Sequence, residues 1–416
     1  MKIVGGGLAG LAAAAKLGAA GFSVEVHEAR PFLGGRAASF PLNPADPDSE
    51  RIDNCQHVLI RCCTALMDFY RRCGVADKID FHDRLFLVRP GGAIDTIRRD
   101  PLPAPMHFAR SFVSMRALDW RDKLSLASCL GAAKRDRLRD DIDTLSFSEW
   151  LREKRATPRS VKRFWRPFIV SALNEEPERA SAGAALQVFA EGLLGSRSSY
   201  EMGVPAVPLG ELYSSALERG LGSSVRVQLK SKVKVIEPAS PEADFYICAV
   251  PFHQVSKLLP NLGLDETLLQ FEHSPITGIH LWFDKPITDL PHAMLLDREL
   301  QWLFHKGHGY YLAVVSASRN LSDEPADRIA RLALAELREF FPKARTAAIE
   351  KSRVIKEIRA TYSIRPGLDR LRPGSGTRYP NVFLAGDWTK TGWPATMEGA
   401  VRSGYQAAEA VIAAAH

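Results

Sequence analysis

The sequence predicts an α/β chain of two domains, a Rossmann-like dinucleotide-binding domain carrying an inserted domain of mixed sheet and helices. Three observations predict it. A glycine cluster follows the first apolar segment at once, a second apolar segment ending in Gly386 and Asp387 lies near the other end, and 416 residues exceed the roughly 250–300 at which single cores stop growing. The dinucleotide-binding domain is assigned to residues 1–80, 201–264 and 346–416, and the inserted domain to 81–200 and 265–345.

The opening reads MKIVGGGLAGLAAAAKLGAAGFSVEVHEARPFLGGRAASF. Lys2 to Val4 is a short strand, and Gly5, Gly7 and Gly10 supply G-x-G-x-x-G directly after it. The first glycine permits a tight turn, the second lets backbone approach a pyrophosphate, and the third lets helix pack on strand. The alanine-rich run from Ala9 to about Ala20 is a helix whose positive end faces the phosphates. Phe22 to His27 is the next strand, and Glu28 follows where a carboxylate can accept both ribose hydroxyls. That charge disfavours a 2'-phosphate and leaves NAD and FAD equally acceptable.

Further strands are expected at Val225 to Glu237, at Phe245 to Pro251 and at Val382 to Ala385, with a long helix from about Ala395 to the end. The insertions divide by pattern. In the first, Ser146 and Glu149 form a capping box, and SVKRFWRPFIVSAL is a helix with Trp165, Phe168 and Ile169 on its apolar side. In the second, GIHLWFD, QWLFHK and YYLAVVSAS have strand character.

Composition narrows the function classes. Hydrophobic residues at 46% and charged residues at 25% are those of a globular chain, and no run approaches the roughly 18 apolar residues of a spanning helix. Residues 3–20 lack a basic leader, so nothing directs the chain out of the cytoplasm. The six cysteines have no metal spacing and are read as reduced. The net charge of +7 is spread along the chain without a nucleic-acid module, which fits a solvated surface or attraction to anionic lipid headgroups. No H-E-x-x-H, G-x-S-x-G or His/Cys cluster offers a metal or a nucleophile, so a cofactor must carry the chemistry.

Gly34, Gly35 and Arg36 resemble the G-G-R signature of flavoproteins of the amine oxidase and phytoene desaturase superfamily. The resemblance implies FAD, with that arginine at the phosphates. It also implies Asp387 at the ribityl or pyrophosphate part beside Gly386, and Val233 at the adenine. The backbone N–H groups of Thr396, Met397 and Glu398 would then face the flavin ring, where a helix N-terminus stabilises negative charge.

The stretches DNCQHVLIRCCTALMDFYRRCGV, FWRPFIVSALNEEPERAS, EGLLGSR and LAGDWTKTGWPATMEGAVRSGYQAA narrow the match. The chain is similar over its length to the hydroxysqualene dehydroxylases of hopanoid synthesis, also described as squalene-associated FAD-dependent desaturases. That similarity implies loss of an allylic hydroxyl from a long isoprenoid, with hydride from reduced flavin N5. It also implies a cytoplasmic enzyme with peripheral contact at the inner face of the membrane; it names no electron donor. Trp165, Phe168, Trp282, Trp302 and Phe304 are expected at the apolar pocket, although the same aromatics could simply form a core.

Asp53 and His57 are the expected acids for the departing hydroxyl. A structural histidine and a turn-capping aspartate are the competing readings. Cys55 and Arg61 stand where the family pattern has glycines, which puts a glycine-type backbone there in question. Leu102 to Trp120, with Met106, Phe108, Phe112, Val113 and Met115 among Arg110 and Arg116, fits an interfacial segment or a core helix. The rival functions are a carotenoid-type desaturase, an amine oxidase and a prenyl-binding chaperone of the same fold.

Overall fold

The computed structural model describes residues 1–43, 45–46 and 49–416, with the backbone alone of 214–219. Lys2–Val4 is the central strand of a five-stranded parallel sheet ordered Val225–Gln228, Val24–His27, Lys2–Val4, Tyr246–Cys248 and Val382–Leu384. Strands from both ends of the chain therefore share one sheet. The strand expected from Val225 to Glu237 ends at Gln228, and residues 231–237 pair with no strand. Lys230 instead turns with φ 55°, and its N–H and that of Ser231 donate to the carbonyls of Arg30 and Glu28.

The first helix, Leu8–Ala19, is small-residue on nearly every side, and nine of its twelve residues are buried. It lies between the sheet and the closing helix, Met397–Ala415. The contact is close because a Cβ on Gly404 would stand 2.2 Å from the carbonyl oxygen of Ala9.

A second sheet has seven strands, ordered Ile349–Tyr362, His273–Phe283, Tyr310–Ser316, Trp302–Gly307, His292–Leu295, Arg84–Val88 and Ile94–Arg98. Ile349–Tyr362, assigned from sequence to the nucleotide-binding domain, pairs with His273–Phe283 and belongs to this sheet. Period-two alternation gives the sheet two apolar faces. Leu295, Leu303 and Ala313 pack with Ile329, Leu337 and Phe340 of the helix Ala326–Phe340, while Met294, Trp302 and Val314 join the core under the first insertion.

That insertion is largely helical, as expected, beyond the strands Arg84–Val88 and Ile94–Arg98 with which it joins the sheet, and the Ser146–Glu149 capping box opens the helix Phe147–Glu153. Two of its turns, Val161–Trp165 and Val188–Leu193, are π-helical. Among the described residues, no helix is long and apolar enough to cross a membrane.

Gly404→Leu should lower stability by about 1–3 kcal/mol in urea unfolding, because the side chain must push the closing helix off Ala9. A midpoint equal to that of the unmodified chain would refute the close contact. A second test concerns acid. Burial, with the His82 ring as a secondary cause, holds the His292 imidazole at about 4, and burial holds His280 at about 4, both below the usual 6.5. Neutral in the fold and protonated more readily when unfolded, they contribute stability that is complete above pH 6.5 and lost as pH falls towards about 4. Melting temperatures measured over that window should drop, and His292→Gln should flatten the slope.

Candidate functional site

A cavity of about 1140 Å³ runs from the Gly5–Gly10 turn, past both chain ends, to the seven-stranded sheet. It exceeds the roughly 300–1,000 Å³ typical of a site for one small ligand. Its first part is built by backbone. Gly5 has φ +114°, and a Cβ there would lie 2.5 Å from the carbonyl of Ala249. On Gly10 a Cβ would fall 2.0 Å from the Gly5 carbonyl oxygen. Gly34 and Gly35 also have positive φ, and the Gly34 N–H donates to Gly6 O at 3.0 Å, laying the second glycine pair against the first turn.

Gly7 begins the first helix without a side-chain cap or an acidic residue in its first turn, so that positive end stays available to an anion. The Glu28 carboxylate accepts from the N–H groups of Gly6 and Arg30, both at 2.8 Å. It thus holds the turn, and its remaining lone pairs face the cavity it lines. Val233 lines the same end, placed there by the Lys230–Ser231 clamp on residues 28–30.

The two chain ends meet at Arg36. Its Nη2 donates to Asp387 Oδ1 at 2.6 Å and its Nη1 to the carbonyl of Ala360 at 3.0 Å. Asp387 is buried, and Gly386 before it has φ +150°, with Trp388 Nε1 only 2.3 Å from where a Cβ would be. Thr396 caps the closing helix by accepting from Gly399, leaving the N–H groups of Met397 and Glu398 without a helical partner. The Glu398 side chain points elsewhere. Its carboxylate accepts from Ala65 and Leu66 at the start of the helix Thr64–Arg72 and pairs with Arg402 at 2.7 Å.

Sequence reasoning missed a basic wall made by His253, Lys257 and Arg359, which line the cavity with Arg36. Arg359 donates to His253 Nε2 at 3.2 Å, so Nδ1 carries the proton and has no partner. Burial, then the charges of His273, Arg359, Arg36 and Lys257, depress the His253 imidazole to about 4. The signal was weak because His253 and Lys257 read as one exposed turn of a short helix and Arg359 as the outward residue of an alternating strand.

The far part of the cavity is apolar, lined by Leu85, Phe168, Phe189, Leu193, Met202 and Trp302. Polar atoms on this wall are satisfied by protein: Ser171 Oγ accepts from Trp302 Nε1 and donates to Pro167 O, both at 2.6 Å. Tyr200 donates to Asp83 O and accepts from Arg99 N.

Three expected pocket aromatics lie off the wall. Trp165 is fully buried one layer behind, edge-on to Phe189 with ring centres 4.6 Å apart. Phe304 stacks on Trp302 and is covered by it. Trp282 stacks on Tyr310 at 4.4 Å under the Lys351 ammonium, away from the cavity lining.

The two expected acids separate as well. Asp53 does not line the cavity; its Oδ1 accepts from Ser39 Oγ at 2.5 Å and Leu209 N at 2.9 Å, and it caps the helix Leu209–Gly220. His57 does line it, and Nδ1 donates to Cys55 O at 3.0 Å. Burial lowers its pKa, so the ring is neutral near pH 7 with Nε2 as an acceptor, the wrong state for giving a proton. Glu357 is a carboxylate on this wall that sequence reasoning passed over.

Neither Cys55 nor Arg61 has a positive φ, so neither position requires glycine. Arg61 lies 3.8 Å over the Phe81 ring and pairs with Glu201 at 2.6 Å.

The profile of the flavin containing amine oxidoreductases matches residues 8–412. The chain belongs to this family. Within it, the hydroxysqualene dehydroxylase of Sinorhizobium fredii (strain NBRC 101917 / NGR234) is 30% identical, spanning 99% of this chain and 98% of that one. A probable zeta-carotene desaturase of Synechococcus elongatus is 27% identical over 100% and 98%. Wild-type putrescine oxidase bound to putrescine shares the fold at a TM-score of 0.73, with 19% identity over 99% and 98% of the chains. This flavin containing amine oxidoreductase is an FAD-dependent oxidoreductase, and its glycine cradle, uncapped helix and Arg36 fork fit the group.

Arg36→Ala should weaken FAD binding by about 2 kcal/mol, roughly thirtyfold, read by flavin fluorescence as apoprotein is titrated. Arg36→Lys should recover only part, since one ammonium cannot replace the fork. Undiminished affinity in Arg36→Ala would show that the guanidinium does not contact the nucleotide.

Proposed function

We propose that this flavin containing amine oxidoreductase removes the hydroxyl of hydroxysqualene, a long isoprenoid alcohol, to give squalene. The observation that carries the reading is the division of the cavity, with free donors at the nucleotide end and an apolar wall whose polar atoms are already bonded at the other. Apart from the Glu357 carboxylate, such a wall offers nothing to an ammonium group and suits a hydrocarbon chain. The near-whole-length relative named hydroxysqualene dehydroxylase supports the same substrate class.

When bound, FAD in its reduced form supplies the hydride. The chain holds the substrate, keeps water out and supplies a proton, so that R–OH with one hydride and one proton becomes R–H and water. Glu357 takes the proton-donor role in this reading, because it lines the cavity whereas Asp53 is engaged elsewhere and His57 is neutral with Nδ1–H committed. Asn54 Nδ2 stands 3.5 Å from its Oε2.

A second reading is polyene desaturation, in which oxidised flavin accepts hydride. It is favoured by the absence of a proton donor at either Asp53 or His57, since that reaction needs no acid at a leaving oxygen, and by the desaturase of similar identity.

Anaerobic incubation of photoreduced protein with hydroxysqualene should yield squalene, while oxidised protein given zeta-carotene should yield no new double bond. The opposite pair of results would establish the second reading. Phe168→Ala with Trp302→Ala should raise KM by about tenfold at unchanged flavin content, through lost apolar contact. Glu357→Gln should depress kcat at unchanged flavin content.

A further inference from the structure

We infer that residues 102–124 form a docking face for an anionic lipid bilayer, an inference that rests on the apolar-substrate reading above. Among the described residues fifteen large apolar side chains are exposed, and five of them are Leu102, Met106, Val113, Trp120 and Leu124. Val113 is 75% exposed, Trp120 66% and Leu124 63%, too much for the core helix that the sequence also allowed. The inward half of that segment is the core part: Phe108 and Met115 are buried.

The exposed residues fall on one face. Met106, Arg110 and Val113 are spaced by four and three along the turn and the helix Ala109–Ser114, and Trp120 and Leu124 by four along the helix Trp120–Asp136. Lys123 Nζ donates to Val113 O at 2.7 Å and holds the two helices side by side.

Charge selects the occupant. Arg98, Arg110, Arg116 and Arg121 are exposed beside the apolar residues, whereas Asp100 and Asp122 are buried. Asp119, the exposed carboxylate of this stretch, is paired with Arg159 at 3.1 Å. A basic rim around exposed Trp, Leu and Val is the composition of a segment that rests in the headgroup region of an anionic leaflet. A second copy related by a two-fold axis would set basic rim against basic rim.

The face is also one layer from the cavity. Phe108 packs edge-on against Tyr200 with centres 4.7 Å apart, and Phe112 leads through Phe164 to Phe168 at 5.6 and 4.8 Å. Tyr200 and Phe168 both line the cavity. At the other end of the long helix, Arg137 pairs with Glu191 on the cavity wall.

The test is flotation of the FAD-loaded protein with vesicles of phosphatidylcholine alone or of phosphatidylcholine with phosphatidylglycerol. Binding should require phosphatidylglycerol and fall as salt rises. Trp120→Ser with Leu124→Ser should cut the bound fraction about tenfold, and Arg116→Glu with Arg121→Glu by a similar amount, at unchanged flavin absorbance and melting temperature. Failure of the unmodified protein to float at low salt overturns the inference. So does flotation of either double variant equal to that of the unmodified protein, or light scattering that shows a dimer dispersed by Trp120→Ser. Flotation uses no substrate, so a chain with another reaction would still float; turnover of detergent-dispersed hydroxysqualene, unchanged in Trp120→Ser with Leu124→Ser, reports the reaction separately.

Discussion

The architecture depends on how closely the two ends of the chain approach each other. Gly404 lets the closing helix touch the backbone of the first helix at Ala9, a distance no side chain would permit. Two further contacts fix the same helix: Ser403 Oγ accepts from Gly386 N at 2.8 Å, and Glu398 binds the amides of Ala65 and Leu66. The first sets the helix against the Val382–Leu384 strand end and the second against the Cys62–Cys63 wall. With Arg36 bonded to Asp387, residues 351 apart in sequence share one ion pair at the cavity. The helix N-terminus thereby keeps its position before any cofactor arrives, which is the preorganisation an electrostatic site requires.

Donors and acceptors divide the cavity into two environments. At the nucleotide end, the first helix is uncapped, so an anion gains bonds that the protein alone leaves unmade. At the sheet end, Ser171 and Tyr200 are saturated by Trp302, Pro167, Asp83 and Arg99, and a polar ligand would give up water for nothing in return. The same chain thus orients its two guests by desolvation, without a charged residue having to recognise the second one.

How much of this could be read from the sequence follows from the range of the constraint. The Gly5–Gly10 turn, Glu28, Gly34–Arg36 and the Gly386–Asp387 strand end are local, each demanding a backbone or a residue type within a few positions, and the structure brings them together along one cavity. Position along the chain does not give a strand's partner: Ile349–Tyr362, placed with the nucleotide-binding residues, pairs with His273–Phe283, and Val225–Gln228 stops where Val24–His27 stops. Residue type likewise does not say which way a side chain faces. Asp53 sits one residue from the cavity-lining Asn54, yet turns inward to Ser39 and Leu209. Trp302 and Phe304 share a sheet face, and only stacking decides that the first covers the second.

The wall formed by residues 57–63 shows how an arginine stands where a glycine was expected, on a backbone that does not require one. Arg61 carries its side chain away from the cavity, over Phe81, and into Glu201, which Arg99 also holds at 2.6 Å. On the cavity side the neighbouring Ile60 meets the π-helical turn Val188–Leu193, where a Cβ on Gly192 would come within 2.8 Å of Ile60 Cδ1. A π turn spends an extra residue on each circuit, and such turns recur at functional sites. Here the turn places Gly192 against Ile60 while Phe189 and Leu193 face the chamber. The wall is therefore pinned from outside by an arginine that glycine could not supply. It is stopped from inside by a glycine that no other residue could replace unless Ile60 moved. The separation of the two walls beside that contact follows from these anchors, not from the bulk of a side chain that fills the space.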